Sequence, residues 1–348
     1  MAQRAAALLN IAAYAARLLF PSLHYFSRME TVPAKKRRSH LARKVPSKHI
    51  RITDADIRDI FEPLARHRRL TTRQLVAFGA RHPVLSNARL GLLWHGTEGE
   101  RSHWLHRANE ETVFANHLTV EDLHGLGEEA EALLVEKGII PAEEWVANSR
   151  IGGRSTMPSK IIRLAHDHMA SDITLDIEIG ARAAGAPFRT HLDILNDAPA
   201  STRLQKKPLK IPLMLDGVRT VIEPDALFSV HGRVFALEAD KGTESIKAVI
   251  VPKILAYREI VAAGIIDDYL GVDNLRVLFA TTSAKRMHHM MEELEKIARN
   301  GKSTMFGFRT DEAFGDFLKA PSPTGRLFTA PWERVGHPDL ILADPGSK

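Results

Sequence analysis

The 348-residue chain contains no cysteine, which excludes disulfides, cysteine-ligated zinc and thiol catalysis together and fits a reducing compartment. Long apolar runs are scarce as well. The most apolar stretch, residues 5–20, is short for a membrane span and is interrupted by Arg17. No small-residue cleavage site follows it, so neither a membrane helix nor a signal peptide is expected there. An upstream extension ahead of a start at Met29 is the preferred reading of residues 1–28. A glycine-rich phosphate loop, a serine-nucleophile elbow, a dinucleotide fingerprint and an internal repeat are also missing. The 17 histidines show no metal-ligand spacing. His166 and His168 stand two apart on one helix and diverge, as do the adjacent His288 and His289. What is left is a soluble, cytoplasmic protein without a membrane partner; its length and 44% hydrophobic content suffice for two ordinary cores.

What is present is uneven charge. The net charge is +6, but residues 1–51 hold 11 Lys/Arg against Glu30 alone, a balance of +10, and the remaining 37 Lys/Arg face 41 acids, a balance of −4. A basic tail on a mildly acidic body is the pattern of a chain that meets a polyanion. From Met29 to Arg51 the sequence is polar and basic without an apolar period, and disorder is expected when it is free. Lys35, Lys36, Arg37, Arg38, Arg43, Lys44 and Lys48 can each neutralise a phosphate, giving affinity that falls steeply with salt. A merely solubilising tail is the competing reading.

Order is expected from about Ile52. Thr53 caps a helix whose first turn holds Asp54 and Asp56, and Ile57, Ile60, Phe61 and Leu64 form its apolar face. Thr71 and Gln74 have capping-box spacing ahead of Leu75, Val76 and Phe78. The segment after Pro83 predicts a third helix with Leu90, Leu93 and Trp94 inward and Asn87 and Arg89 outward. A turn at 96–100 and a strand through Trp104 follow. Three short helices and a hairpin make a winged helix, in which the third helix enters the major groove. On that reading Asn87 and Arg89 face base edges, while Arg73, Arg81, Arg101 and Arg107 lie near phosphates. Nine Lys/Arg against six acids over residues 52–109 favour DNA, although small three-helix modules also serve as protein-contact units. A helix over 121–137 with an acidic outer face comes next, ended by Gly138.

The second half predicts a helix over 160–184, strands at 209–215, 220–230 and 233–240, a tight turn at His231-Gly232, and a helix over 244–263 restarted or kinked at Pro252. A strand at 275–282, a helix over 283–300 and a strand near 304–308 complete it. Asp225 falls in the second of these strands, and Glu238 and Asp240 lie near the end of the third. Side chains two apart on a strand share a face, and a hairpin can bring Asp225 beside them. Three crowded carboxylates repel unless a cation neutralises them, and hard cations such as Mg²⁺ or Mn²⁺ favour oxygen ligands. A metal there would activate water against a phosphodiester. The bland alternative pairs these acids with Lys241, Lys247 or Arg258.

The string around Pro224-Asp225, then Glu238-Ala239-Asp240-Lys241-Gly242-Thr243, then Lys253 and Tyr257, resembles the replication-relaxation family of plasmids and other mobile elements. The resemblance is firmest over 160–310. It implies an α/β (α+β) chain: a winged-helix DNA-binding domain, followed by a PD-(D/E)XK restriction-endonuclease-like three-layer core. The corresponding layout is an N-terminal extension and basic tail at 1–51, the winged helix with its following helix at 52–147, a linker at 148–159, the nuclease-like domain at 160–320 and a C-terminal tail at 321–348. Asp225, Glu238 and Asp240 would be metal ligands, with Lys253 and Tyr257 pointing toward them from one helix face. The nuclease pattern has lysine two residues after the strand acid; here that slot is Asp240, and Lys253 or Lys247 would have to supply the charge. The implied roles are DNA binding with metal-dependent nicking, or a non-catalytic replication accessory on a degenerate nuclease fold. Partners would be DNA and replication or mobilisation proteins.

Overall fold

Thr53 caps the first helix as expected: its side chain and that of Asp56 satisfy each other's backbone N–H groups in a capping box. The computed structural model describes residues 50–79, 83–96, 104–107, 123–141, 157–311, 314 and 322–346, all within the unit Arg43–Lys348. Helix α1 (Asp54–Asp56) runs through a π-helical turn (Ile57–Phe61) into α2 (Glu62–His67). Strand β1 (Arg69–Thr71) leads to α3 (Thr72–Gly79), capped by the reciprocal Thr71–Gln74 pair, and α4 (Pro83–His95) follows. Strands β2 (Leu105–Arg107) and β3 (Leu123–Leu126) join β1 in an antiparallel sheet of order β1-β3-β2, and α5 (Glu128–Glu136) packs beside it. Phe61, Leu64, Leu70, Leu90, Leu93 and Trp94 make the shared core. Residues 123–126, expected to be helical, are strand: Leu123 and His124 are buried between two neighbouring strands, and the helix starts only after Gly127.

The second body begins with α6 (Met157–Ala183) and continues with β4 (Phe188–Thr190), α7 (His191–Asp197) and α8 (Ala200–Arg203). Strands β5 (Ile211–Leu215) and β6 (Val218–Ile222) form a separate two-stranded ribbon. Its turn, Asp216-Gly217, has positive φ at both residues, as a two-residue hairpin requires. Strands β7 (Ala226–Val230) and β8 (Arg233–Asp240) pair antiparallel around His231-Gly232. A π-helical turn (Ile246–Ile250) runs into α9 (Val251–Ala262), with Pro252 at the junction of the two. Then come α10 (Ile265–Leu270), β9 (Arg276–Thr281), α11 (Ala284–Ile297) and β10 (Phe306–Thr310). The segment read as a tail supplies α12 (Arg326–Thr329) and the antiparallel hairpin of β11 (Pro331–Arg334) and β12 (His337–Ile341). These complete a seven-stranded mixed sheet of order β12-β11-β10-β9-β8-β7-β4, in which β8, β9 and β10 are parallel.

The sheet is covered on both faces. Val234 and Ala236 of β8 pack with α9, α10 and α11, while Phe235, Leu237 and Ala239 pack with α6 and α12. Strand alternation therefore puts Glu238 and Asp240 at the α9/α11 side, at the end of an otherwise apolar stripe. The run 220–230 is not one strand. Pro224, which has no N–H to give a ladder, separates β6 from β7 and leaves Asp225 in the connection immediately before β7. Among the described residues no helix is long and apolar enough to cross a membrane.

Candidate functional site

Strand β8 and helix α9 build the centre of the site. Glu238 is 2% exposed and Tyr257 fully buried. The Tyr257 hydroxyl donates to Glu238 Oε1 at 2.5 Å, and the Lys253 ammonium donates to Oε2 at 2.9 Å. One helical turn separates the two donors, so both reach the same carboxylate. Burial, with the Asp225 charge nearby, pushes the Glu238 carboxyl up to about 7. Burial works against the Lys253 charge, but the Glu238 carboxylate outweighs it and holds the ammonium above the usual lysine range. Burial and then Glu238 likewise raise the Tyr257 hydroxyl.

Asp225 closes the site from the other side. Its Oδ2 accepts the Ala239 N–H at 2.8 Å, which fixes it against β8, and lies 3.3 Å from His166 Nε2 on α6. Hydrogen bonding to Asp167 and then to Asp225 raises the His166 imidazole to about 10, so it stands there as a cation. Asp240 shares the β8 face with Glu238 but turns to α11. Arg286 grips it with two nitrogens, one of them at 2.8 Å, and Thr281 donates its hydroxyl at 2.7 Å. The structure thus brings Asp225, Glu238, Lys253 and Tyr257 together and directs Asp240 to a partner of its own.

A family model for replication-relaxation proteins matches residues 61–274. The chain belongs to the replication-relaxation family. No curated protein and no solved structure matches it. In this replication-relaxation protein each of the three acids already faces a cation of the chain: Asp225 has His166, Glu238 has Lys253 and Asp240 has Arg286. Among the described residues no three His, Asp or Glu side chains gather into a group able to hold a metal ion. The side chains as arranged do not fit the expected Mg²⁺ or Mn²⁺. The cations also differ from Lys241, Lys247 and Arg258, weighed from sequence; Arg258 instead donates to the Ile297 carbonyl at 2.7 Å. Arg286 escaped sequence reasoning, yet it had a signal: β9 runs parallel to β8, Asp240 pairs with Thr281, and the helix capped by Ser283 places Arg286 in its first turn.

Of the DNA-contact candidates in this family member, Lys35, Lys36, Arg37, Arg38, Arg43, Lys44, Arg81 and Arg101 lie outside the described residues. Arg73 on α3 and Asn87 on α4 are exposed. Arg89, expected to face outward, turns back onto α1 and the segment before it. Its guanidinium holds Asp56 at 2.6 and 2.9 Å and the Arg51 carbonyl at 2.7 Å. It ties the third helix of the first module to the start of the first.

Proposed function

We propose that this chain is a DNA-binding factor of plasmid or mobile-element replication, relaxation or mobilisation, and that its second body is a nuclease-like scaffold that does not cut. The order helix–strand–helix–helix–strand–strand in residues 54–126, with a sheet of order β1-β3-β2, supports a winged helix that carries α4 to the major groove. The observation that carries the non-cutting half is the pairing of all three acids with the protein's own cations. A site that has neutralised itself has little electrostatic need of a metal.

Metal-dependent nicking is the second reading. One observation favours it: Asp225 and Glu238 lie close enough for one charge to raise the other's carboxyl. On this reading Asp225, Glu238 and Asp240 would exchange their cations for Mg²⁺ or Mn²⁺, which would supply an activated water.

The test is to incubate the purified chain with supercoiled plasmid and either metal while measuring duplex binding by gel shift. Metal-independent binding without nicking is expected. Nicking abolished by Asp225→Ala would establish the second reading, and an absence of salt-sensitive binding would overturn both.

A further inference from the structure

The β5–β6 ribbon has no part in the site or in the winged-helix reading, yet it is the most unusual surface of the second body. Of the six large hydrophobic side chains exposed among the described residues, four lie in or just before it: Leu204, Met214, Val218 and Val221, at 74%, 54%, 66% and 55%. Its inner residues Ile211, Leu213 and Ile222 belong to the core with α9. Its outer face is made by the cross-strand pairs Pro212–Val221 and Met214–Arg219. The approach to the ribbon is held in place by Tyr269. Its hydroxyl lies 3.0 Å from the Lys210 carbonyl and 3.1 Å from Gln205 Oε1, and its carbonyl accepts from Thr202 at 2.5 Å.

Charge marks the same segment. Residues 200–222 carry five Lys/Arg (Arg203, Lys206, Lys207, Lys210 and Arg219) against Asp216 alone, within a body from residue 52 onward whose balance is −4. Among the described residues no carboxylate pairs with Arg203, Lys206, Lys207 or Arg219, while Lys210 faces Glu223 at 3.4 Å. Exposed cations without counter-charges, flanking a projecting apolar ribbon, suit a polyanion with a hydrophobic groove. The segment has no aromatic residue, so it lacks the stacking platforms on which single strands are held. A two-stranded ribbon does fit the major groove of a duplex, where aliphatic side chains meet thymine methyl groups.

We propose that the β5–β6 ribbon is a second duplex-DNA contact, with Lys206, Lys207 and Arg219 on phosphates and Met214 and Val221 against the groove. This rests on the reading of DNA as the partner and adds a surface on the body opposite in sequence to the winged helix.

The test is duplex binding by the full chain as a function of salt. In K206Q/K207Q/R219Q the slope of log affinity against log salt should flatten by about 2–3, close to one per lost phosphate contact. K206Q/K207Q, which leaves both strands untouched, should flatten it by about 2 and guards against misfolding of the triple variant. M214S/V221S should weaken binding several-fold at unchanged slope. A control of equal charge, R299Q/K302Q, should leave the slope as it is. If wild type binds and the lysine variants keep its slope, or if the control flattens it equally, the ribbon is not a DNA contact although the chain remains a DNA binder. Loss of single-strand binding alone would also overturn it. If wild type binds no duplex, the ribbon proposal falls together with the proposed function.

Discussion

Glu238 can keep a charge in the interior only because two side chains one helical turn apart spend their donors on it. Tyr257→Phe deletes one donor and nothing else of comparable size. A buried carboxylate left short of a partner costs about 1–3 kcal/mol, and urea unfolding should register a loss of that order. The loss should shrink in a Glu238→Gln background, because the two residues belong to one network; simple additivity would show that they do not act on each other. Asp240 presents a sharper case. It is 4% exposed, and Arg286 is the cation on it. Arg286→Ala strands that carboxylate, and uncompensated buried charges cost roughly 3–5 kcal/mol. Asp240→Asn in the Arg286→Ala background should recover part of the stability. A double variant as unstable as the sum of its singles would sink the pairing as an energetic unit.

Between elements, the closest approach is that of α6 to the chain that enters α12. Gly180 and Gly325 stand back to back, and a Cβ on Gly180 would collide with the Gly325 carbonyl oxygen and lie 2.5 Å from Phe328 Cβ. Asp176, one turn earlier, accepts the N–H groups of Thr324, Gly325 and Leu327 at 2.7, 2.9 and 2.7 Å. The clamp draws the strand-bearing C-terminal segment down, and the missing side chains let it arrive. Gly180→Ala should therefore destabilise by at least ~2 kcal/mol, at the upper end of overpacking because backbone blocks the way; a thermal midpoint equal to wild type would refute the close contact. This clamp also shows where sequence reading ran out. Caps at Thr53 and Thr71, the His231-Gly232 turn, and the helical spacing of Lys253 and Tyr257 are local, and the sequence exposes them. The approach of Asp225 to Glu238 was legible from the hairpin, but its place in the connection before β7 rather than within a strand, and the turning of Asp240 to Arg286, were not. The docking of 326–341 onto the sheet depends on Asp176 some 150 residues away, so nothing local in that segment separates a strand from a tail. The strand at 123–126 was hidden for the same reason: its partners β1 and β2 lie elsewhere in the chain.

At the scale of the molecule, one buried acid joins the two bodies. Glu178 of α6 has no exposed side-chain surface; it is gripped by Arg66 at 2.6 Å, His67 Nε2 at 2.7 Å and Arg182 at 2.7 Å. Arg182 also lies over the Phe78 ring at 4.0 Å, and Gln74 donates to Asp172 nearby. Four residues of the first module, Arg66, His67, Gln74 and Phe78, thus meet the helix that opens the second. Burial alone would raise the Glu178 carboxyl, but the His67 hydrogen bond and charge and the two arginines hold it down at about 2, against an ordinary 4.5. The sign follows directly: a carboxyl whose folded pKa is depressed stabilises the fold fully above 4.5, and that contribution is lost as pH falls from there through about 2. The shift corresponds to something on the order of 3 kcal/mol. Glu178→Gln should therefore be less stable than wild type by about that much at pH 7. The gap should narrow steadily below about pH 4.5 as the wild-type carboxyl takes up its proton. Because the acid ties module to module, the variant at pH 7 is also expected to unfold in two resolved steps, the first reported by Trp94 and Trp104 fluorescence ahead of the sheet's circular dichroism. A single coincident transition with a pH-independent gap would mean that the cluster is no more than a local ion pair, and that the two bodies are held together elsewhere along α6.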